Sequence, residues 1–368
     1  MMTPLAEWIR NELLTYEHNR VTFAQFMEWA LYHPTLGYYQ RAETKVGKEG
    51  DFYTSAHVGP VFGETLATFV NDLAQTFGGC EWNIVEFGSG DGRLADALLR
   101  GMQEEQANDT LRAYYIVETS PYHRQLARAR LKHESRIHWV EGLDAEIGKD
   151  PLVVISNELI DAMPVHRLRS VDGGWSEIYV RWNDHKRTFE ETLGACSSPD
   201  LVRYVDKEKP PQRDGQTIEV NLAACRWLKQ LAQAMQKGYV LTIDYGYEKD
   251  ELWSVERRRG TLMGYYRHRA VTNPYDRVGE QDLTTHVNFS SLKRWGEEFG
   301  LSTSLYLSQG EFLLQAGILQ KLQEHHDPDP FSKTAKRNRA IRQLITPGGM
   351  GDTFKVLLQG KAVHPSQV

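Results

Sequence analysis

WNIVEFGSGDGRLADAL, from Trp82 to Leu98, joins three patterns in one short stretch. The apolar run Trp82 to Phe87 predicts a short buried strand. Gly88, Gly90 and Gly92 predict a tight turn, and an amphipathic helix follows from about Arg93. A glycine turn between a strand and a helix removes side chains where a ligand must approach the backbone. It also leaves the first helical N–H groups free for polar or anionic ligand atoms.

The segments downstream repeat the alternation. Ala113 to Val117 is an apolar run ending at Glu118, and Pro121 to Leu131 has the pattern of a basic surface helix. Ile137 to Val140, Pro151 to Ile155 and Tyr239 to Ile243 read as further strands. Continuous apolar strands separated by helices predict a parallel sheet buried on both faces, a doubly wound α/β fold. Upstream the pattern is helical. Thr3 and Pro4 open a helix with Leu5, Trp8, Ile9 and Leu13 on one face, and Thr22 caps a second carrying Phe23, Phe26, Met27 and Leu31. Pro60 opens a third, which Gly78-Gly79 stops. With no strand partner in sight, residues 1–79 read as an N-terminal helical cap and residues 80–368 as the main domain. Two α+β segments interrupt that domain: a β-hairpin excursion over about 165–215 and a long irregular insertion over about 245–290. Arg257-Arg258-Arg259 within the second reads as a solvated loop. A late helix (Lys333 to Ile345) and an apolar run (Phe354 to Leu358) close the chain.

Composition narrows the function classes. The 368 residues are 40% hydrophobic and 25% charged, an ordinary globular balance. A net charge of −6 gives no basic footprint for nucleic acid. Three separated cysteines form neither a disulfide framework nor a zinc pattern, and His57, His268 and His286 lack metal-ligand spacing, so no metal is expected. No run approaches the roughly 18 apolar residues of a membrane span. The first residues lack both an apolar signal core and an Arg/Ser-rich presequence, which makes a cytoplasmic protein the simplest expectation.

The spacing of the turn separates two ligand classes. A dinucleotide site needs G-x-G-x-x-G, whose last glycine lets helix and strand pack closely. Here that position is Arg93, and the pattern is E-x-G-x-G-x-G with Glu86 leading. This resembles the first motif of class I S-adenosylmethionine (SAM)-dependent methyltransferases. The resemblance implies that Glu86, Gly88, Gly90 and Gly92 lie beneath the amino-acid and ribose parts of SAM. It also implies that Glu118 bonds the ribose hydroxyls and Asp144 contacts the adenine. In GDFYTS, Thr54 and Ser55 either close over the cofactor or cap the helix opened by Pro60. After the fourth strand comes SNELIDAMPVH, residues 156–166, where methyltransferases of planar amides carry Asn/Asp-Pro-Pro-Tyr/Phe. Asn157 stands at the cofactor end of this run. Glu158 and Asp161, three apart, share a face if a helix begins here. They then either complement its dipole or grip a cationic substrate.

GDFYTS, VEFGSGDGRL, YIVETSP, SNELIDAMPVHR, LTIDYG, GEQDLTTHVNF, QGEFLL and MGDTFKVLL together resemble the MidA family over nearly the whole chain. That family includes the mitochondrial arginine methyltransferase of respiratory complex I assembly. The resemblance implies a seven-stranded Rossmann-like methyltransferase sheet, SAM as cofactor, and a protein arginine as methyl acceptor. On that basis Glu158 and Asp161 are candidates for guanidinium binding, with His166 or His268 as proton acceptor. Methylation of a small molecule, with 245–290 as a lid, and a non-catalytic SAM-binding assembly factor stay open as alternatives, as does a homodimer.

Overall fold

In the computed structural model, which describes residues 2–42, 55–104, 110–324 and 329–363, the run Trp82–Phe87 is a strand buried along nearly its whole length. The strands in chain order are β1 (Arg20–Thr22), β2 (Trp82–Phe87), β3 (Leu111–Val117), β4 (Ile137–Trp139), β5 (Leu152–Asn157), β6 (His166–Val171), β7 (Gly174–Asn183), β8 (Thr188–Gly194) and β9 (Thr217–Val220). They continue with β10 (Gly238–Tyr247), β11 (Met263–Tyr266), β12 (Arg269–Val271), β13 (Asp282–Thr284), β14 (Val287–Asn288), β15 (Ser302–Ser308) and β16 (Phe354–Lys361). Helices α1 (Pro4–Leu13), α2 (Phe23–Tyr32), α3 (Ser55–Val58), α4 (Val61–Gln75), α5 (Arg93–Glu104), α6 (Pro121–Arg130) and α7 (Pro199–Glu208) occupy the first part of the chain. The rest are α8 (Leu222–Ala234), α9 (Lys249–Leu252), α10 (Phe289–Glu298), α11 (Gln309–Gln315), α12 (Lys333–Ile345) and α13 (Met350–Thr353). No helix among the described residues is long and apolar enough to cross a membrane.

The chain divides into two units, each discontinuous in sequence. The first comprises Tyr53–Leu159, Leu228–Gly246 and Lys293–Val368. Its strands hydrogen-bond in the order β15-β16-β10-β5-β2-β3-β4. The pairs from β10 to β4 are parallel, while β16 runs antiparallel to both β10 and β15. This is a mixed α/β sheet, in keeping with the strand–helix alternation of the sequence. Its central strands are apolar because both faces are covered: Ile84, Val153, Ile155, Leu241 and Ile243 have no exposed surface. Helices α4 and α5 join the same core through Phe62, Leu66, Val70, Leu94 and Leu98. They approach very closely. A Cβ added at Gly63 would stand 2.6 Å from Ala97 Cβ, and one at Gly101 2.8 Å from Ala67 Cβ.

The second unit comprises Met1–Phe52, Ile160–Trp227 and Tyr247–Leu292. Its larger sheet is antiparallel, in the order β1-β7-β6-β9, with β8 also on β7. Helices α1 and α2 begin at the Thr3 and Thr22 caps that the sequence marked, each hydroxyl accepting a helical N–H. Their apolar faces meet that sheet: Leu5, Ile9, Phe23, Phe26 and Met27 cluster with Val165, Val180 and Phe189. A smaller sheet has the order β12-β11-β13.

Three readings of the sequence change here. The helices of residues 1–79 do not share one unit: α1 and α2 belong with the inserted sheet and α4 with the large one. The link is β1, which pairs with β7 from Arg20↔Arg181 to Thr22↔Tyr179 and is too short to display an alternating pattern. The hairpin expected over 165–215 extends to a sheet that also recruits β9 and β1. The segment 245–290 is more regular than its composition suggests, because β11, β12 and β13 are each only three or four residues long.

Gly63→Val should force α4 away from α5 and destabilise the protein by about 1–3 kcal/mol, the usual cost of overpacking a tight core. Urea denaturation of the purified protein measures it. An unchanged midpoint would mean that the two helices do not depend on this contact.

Candidate functional site

Within the first unit, β2 is the point where strand order reverses: the chain proceeds from it to β3 and β4 on one side, and β5 lies on the other. In open α/β sheets the crevice beyond the carboxyl ends of strands at such a point is where ligands bind. The glycine turn leaves the end of β2, and Asn157-Glu158 the end of β5.

All three turn glycines have left-handed backbone, with φ of 70° at Gly88, 55° at Gly90 and 79° at Gly92. Packing explains two of them. A Cβ on Gly88 would lie 2.9 Å from Leu159 Cδ1, and one on Gly92 3.0 Å from Ala127 Cβ. At Gly90 an added Cβ meets nothing within 4 Å, so this backbone faces open space among the described residues. Two polar atoms at the ends of β2 and β5, Ser89 Oγ and Asn157 Oδ1, are buried without a hydrogen-bond partner among the described residues. Buried polar atoms are ordinarily satisfied. A ligand with polar groups that lies against Gly90 fits all three features.

The acidic residues near the turn hold distinct positions. Glu118, nearly buried at the end of β3, accepts the Gly90 N–H at Oε2 and the Ser120 N–H at Oε1, each at 2.8 Å. Burial pushes its carboxyl up, against the opposing hydrogen bonds from Ser120 and Gly90. Glu86 lies inside the sheet, where the Tyr114 hydroxyl donates to its Oε2 at 2.8 Å. Burial is the main reason its carboxyl is pushed up to about 7, and the charges of Glu118 and Asp91 add to the rise. Asp91 is held differently. Arg93 Nε donates to its Oδ2 at 2.7 Å and Arg130 Nη2 at 3.0 Å, while Arg130 Nε donates to its carbonyl at 2.8 Å. Burial opposes its charge, but these partners and His57 keep the carboxyl below its ordinary value. His57 is pushed down to about 4, chiefly by burial, and is therefore neutral at physiological pH.

The other expected cofactor residues divide. Asp144 is exposed, and its Oδ1 accepts the N–H groups of Glu146 and Ile147, so it serves its own turn. Ser55 is fully buried at the start of α3, its hydroxyl donating to Gln309 Oε1 at 2.8 Å. Asp51 and Thr54 lie outside the described residues.

No helix follows β5. Glu158 has a φ of 53°, a left-handed conformation rare for a side chain with a Cβ, and the chain reaches β6 through bends and turns. The expectation that Glu158 and Asp161 share a helical face is therefore corrected: the left-handed residue and Pro164 prevent the turn from propagating. Glu158 Oε1 accepts the Ser55 N–H at 2.9 Å and the Asn157 side-chain amide at 3.1 Å. Asp161 belongs to the second unit, where it is buried and its carbonyl accepts the Thr285 N–H. His166, in the same unit, places Nδ1 2.7 Å from Glu177 Oε1. His268, with a φ of 59°, is an exposed turn residue between β11 and β12. The arginine run is not simply solvated either: the Arg257 guanidinium stacks 4.0 Å from the Tyr247 ring centroid and donates to the Glu251 carbonyl.

Sequence reasoning passed over Ser89, Asp91, Tyr114 and Arg130. Ser89 carries a local signal, since it is a small hydroxyl residue between two turn glycines. The pairings of Asp91 with Arg130 and of Glu86 with Tyr114 span 39 and 28 residues and leave no local trace.

Comparison with known proteins agrees with this geometry. A family model described as "Putative S-adenosyl-L-methionine-dependent methyltransferase" matches residues 61–307. The Drosophila melanogaster "Protein arginine methyltransferase NDUFAF7 homolog, mitochondrial" is 25% identical, the match covering 96% of this chain and 84% of that protein. The rat "Protein arginine methyltransferase NDUFAF7, mitochondrial" is 28% identical, over 94% and 82%. A crystal structure from Burkholderia thailandensis, a likely methyl transferase of the COG1565 superfamily bound to S-adenosyl-homocysteine, superposes with a TM-score of 0.87. It is 30% identical, with 98% of this chain and 92% of that one covered. The mitochondrial names of the curated relatives overturn the expectation of a cytoplasmic location, which rested only on the composition of the first residues.

Two outcomes test the site. Gly90→Val should lose SAM affinity in a calorimetric titration, and normal SAM binding by the variant would overturn the assignment. The strain of a β-branched residue at a φ of 55° is measured separately by its urea midpoint. Glu86 supplies a pH signature. Its folded value of about 7 lies above the ordinary 4.5, so its contribution to stability is complete below 4.5 and is lost as pH rises through 7. Glu86→Gln should thus leave the ligand-free protein nearly unchanged at about pH 4 and stabilise it by about 3 kcal/mol at about pH 8. Urea midpoints at the two pH values check the difference.

Proposed function

Because the chain belongs to the S-adenosyl-L-methionine-dependent methyltransferase family, we propose that it moves the methyl group of SAM onto a guanidinium nitrogen of a protein arginine. The observation that carries the donor half is the Gly90 backbone facing open space in a turn at the strand ends that also carry the buried, unpartnered Ser89 Oγ and Asn157 Oδ1. The names of the curated relatives support the acceptor half. In this reading the strand path β15-β16-β10-β5-β2-β3-β4 is the seven-stranded, doubly wound sheet of a class I methyltransferase. Gly88, Gly90, Gly92, Ser89, Glu118 and Asn157 hold the cofactor.

The chemistry required of the protein follows from the acceptor. A guanidinium stays protonated, with a pKa above about 12, and its nitrogen lone pairs are delocalised. Glu158 binds it through charge-assisted hydrogen bonds that fix its orientation, and its partners Ser55 and Asn157 hold that carboxylate in place. The nitrogen must also release a proton to a base as the methyl group arrives. SAM, when bound, supplies a methyl group made electrophilic by a positively charged sulfur. Alignment and exclusion of water then account for most of the acceleration.

Tritiated-methyl SAM incubated with the protein and a cell extract, followed by acid hydrolysis and amino-acid analysis, tests the reading. Label should appear in methylarginine. Label confined to the small-molecule fraction, or SAM binding without transfer, would refute it. Glu158→Gln should reduce incorporation by about 100-fold or more with SAM affinity nearly unchanged. Retained turnover would remove Glu158 from the assignment.

A further inference from the structure

Of the three peptides between Ser89 and Gly92, the outer two are pinned to the protein. The Ser89–Gly90 peptide donates its N–H to Glu118 Oε2 at 2.8 Å. The Asp91–Gly92 peptide donates its N–H to the Ser89 carbonyl at 3.0 Å, and its own carbonyl accepts Arg130 Nε at 2.8 Å. The middle peptide carries the Gly90 carbonyl and the Asp91 N–H, neither of which has a hydrogen-bond partner among the described residues. It lies where the Gly90 backbone faces open space. The turn therefore offers this peptide to a ligand, and its neighbours set the direction in which it is offered.

Arg130 reaches the turn from the last turn of α6, 39 residues along the chain. Its Nη2 also donates to Asp91 Oδ2 at 3.0 Å, so one guanidinium spans the main chain and the side chain of the same residue. A cation in the last turn of a helix complements the dipole wherever it points. Arg128, in the same turn, lies 5.1 Å from the Trp139 ring centroid instead. Charge pairing does not require Arg130 either, since Arg93 Nε already donates to Asp91 Oδ2 at 2.7 Å. What Arg130 adds is the bond to the carbonyl. It acts from a rigid mount: a Cβ on Gly92 would stand 3.0 Å from Ala127 Cβ and 3.2 Å from Leu131 Cδ1, so α6 is packed hard against the turn.

We infer that Arg130 is a positioning residue for SAM: acting through Asp91, it fixes the Asp91–Gly92 peptide and so keeps the adjoining Gly90–Asp91 peptide presented to the cofactor. The inference rests on SAM as the methyl donor and not on the identity of the acceptor. Every residue in the arrangement belongs to the unit that carries the large sheet. The two peptides share the Asp91 Cα, so freeing one plane lets the other rotate. Binding must then order a turn that the wild type holds ready. A planar, forked guanidinium can serve the carbonyl and the carboxylate together, whereas an ammonium is a point donor.

The test measures SAM affinity by calorimetric titration for the wild type, Arg130→Met, Arg130→Lys, Asp91→Asn, the Arg130→Met/Asp91→Asn double variant and Arg100→Met. Arg100 pairs with Asp96 on the exposed side of α5 and controls for loss of a surface arginine. Arg130→Met should weaken SAM binding by about 10-fold or more. Arg130→Lys should recover part of that loss, and Arg100→Met should bind as the wild type does. The double variant should lose less affinity than the product of the two single losses, because one residue acts through the other. Initial rates of tritiated-methyl transfer to extract protein should show the KM for SAM raised in Arg130→Met, with kcat retained at saturating SAM. Arg130→Lys takes the place of the Met variant throughout if that one fails to fold. Unchanged affinity, losses that multiply in the double variant, or a fall in kcat at unchanged KM would overturn the inference. A wild-type protein that binds no SAM would instead refute the donor half of the proposed function.

Discussion

The hydrogen bond from the Gly90 N–H to the Glu118 carboxylate, at 2.8 Å, ties the end of β2 to the end of β3 and holds the turn in its left-handed course. The geometry of the site depends on it. Gly88 and Gly92 could not be larger without striking Leu159 and Ala127, so the turn is clamped on both sides of a middle residue whose backbone is open. Arg130 reinforces the clamp from α6 through both the carboxylate and the carbonyl of Asp91. Beneath the turn, Glu86 and Glu118 are both buried and both pushed towards protonation. Burial, rather than neighbouring negative charge, is the main cause in both.

The second constraint lies one strand away. Glu158 takes a backbone conformation that strains any residue with a Cβ, and such strain persists only where surrounding contacts enforce it. Here the Glu158 N–H donates to the Ile243 carbonyl, while its carboxylate accepts from Ser55 and Asn157. Strain of this kind clusters at functional positions, and that is a stronger reason to attend to Glu158 than its spacing from Asp161. The spacing argument presupposed a helix that the chain does not form. Asp161 and His166 lie in the second unit, where His166 Nδ1 pairs with Glu177 Oε1 at 2.7 Å.

The parts legible in advance share one property: their cause is local. The buried strand at Trp82, the glycine turn, the caps at Thr3 and Thr22 and the helix Lys333–Ile345 each follow from residues a few positions apart. The failures share the opposite property. β1 is three residues long and is defined by its partner on β7, far along the chain. The strands β11, β12 and β13 are too short for an alternating period to emerge from their aromatic and basic neighbours. Arg257 reads as one of three exposed cations until the ring of Tyr247 is found beneath it.

By itself, then, the sequence determined the α/β character of the large sheet, the position of the turn and the exclusion of a dinucleotide, because glycine spacing and the bulk of Arg93 are local facts. Only the tertiary structure decided which carboxylate meets which partner. Glu118 closes on Gly90, Glu86 is retained inside the sheet by Tyr114, and Asp144 serves its own turn. It also decided that Glu158 and Asp161 belong to different units. Hydrogen bonds and burial between segments tens of residues apart made those choices, and no local pattern encodes them.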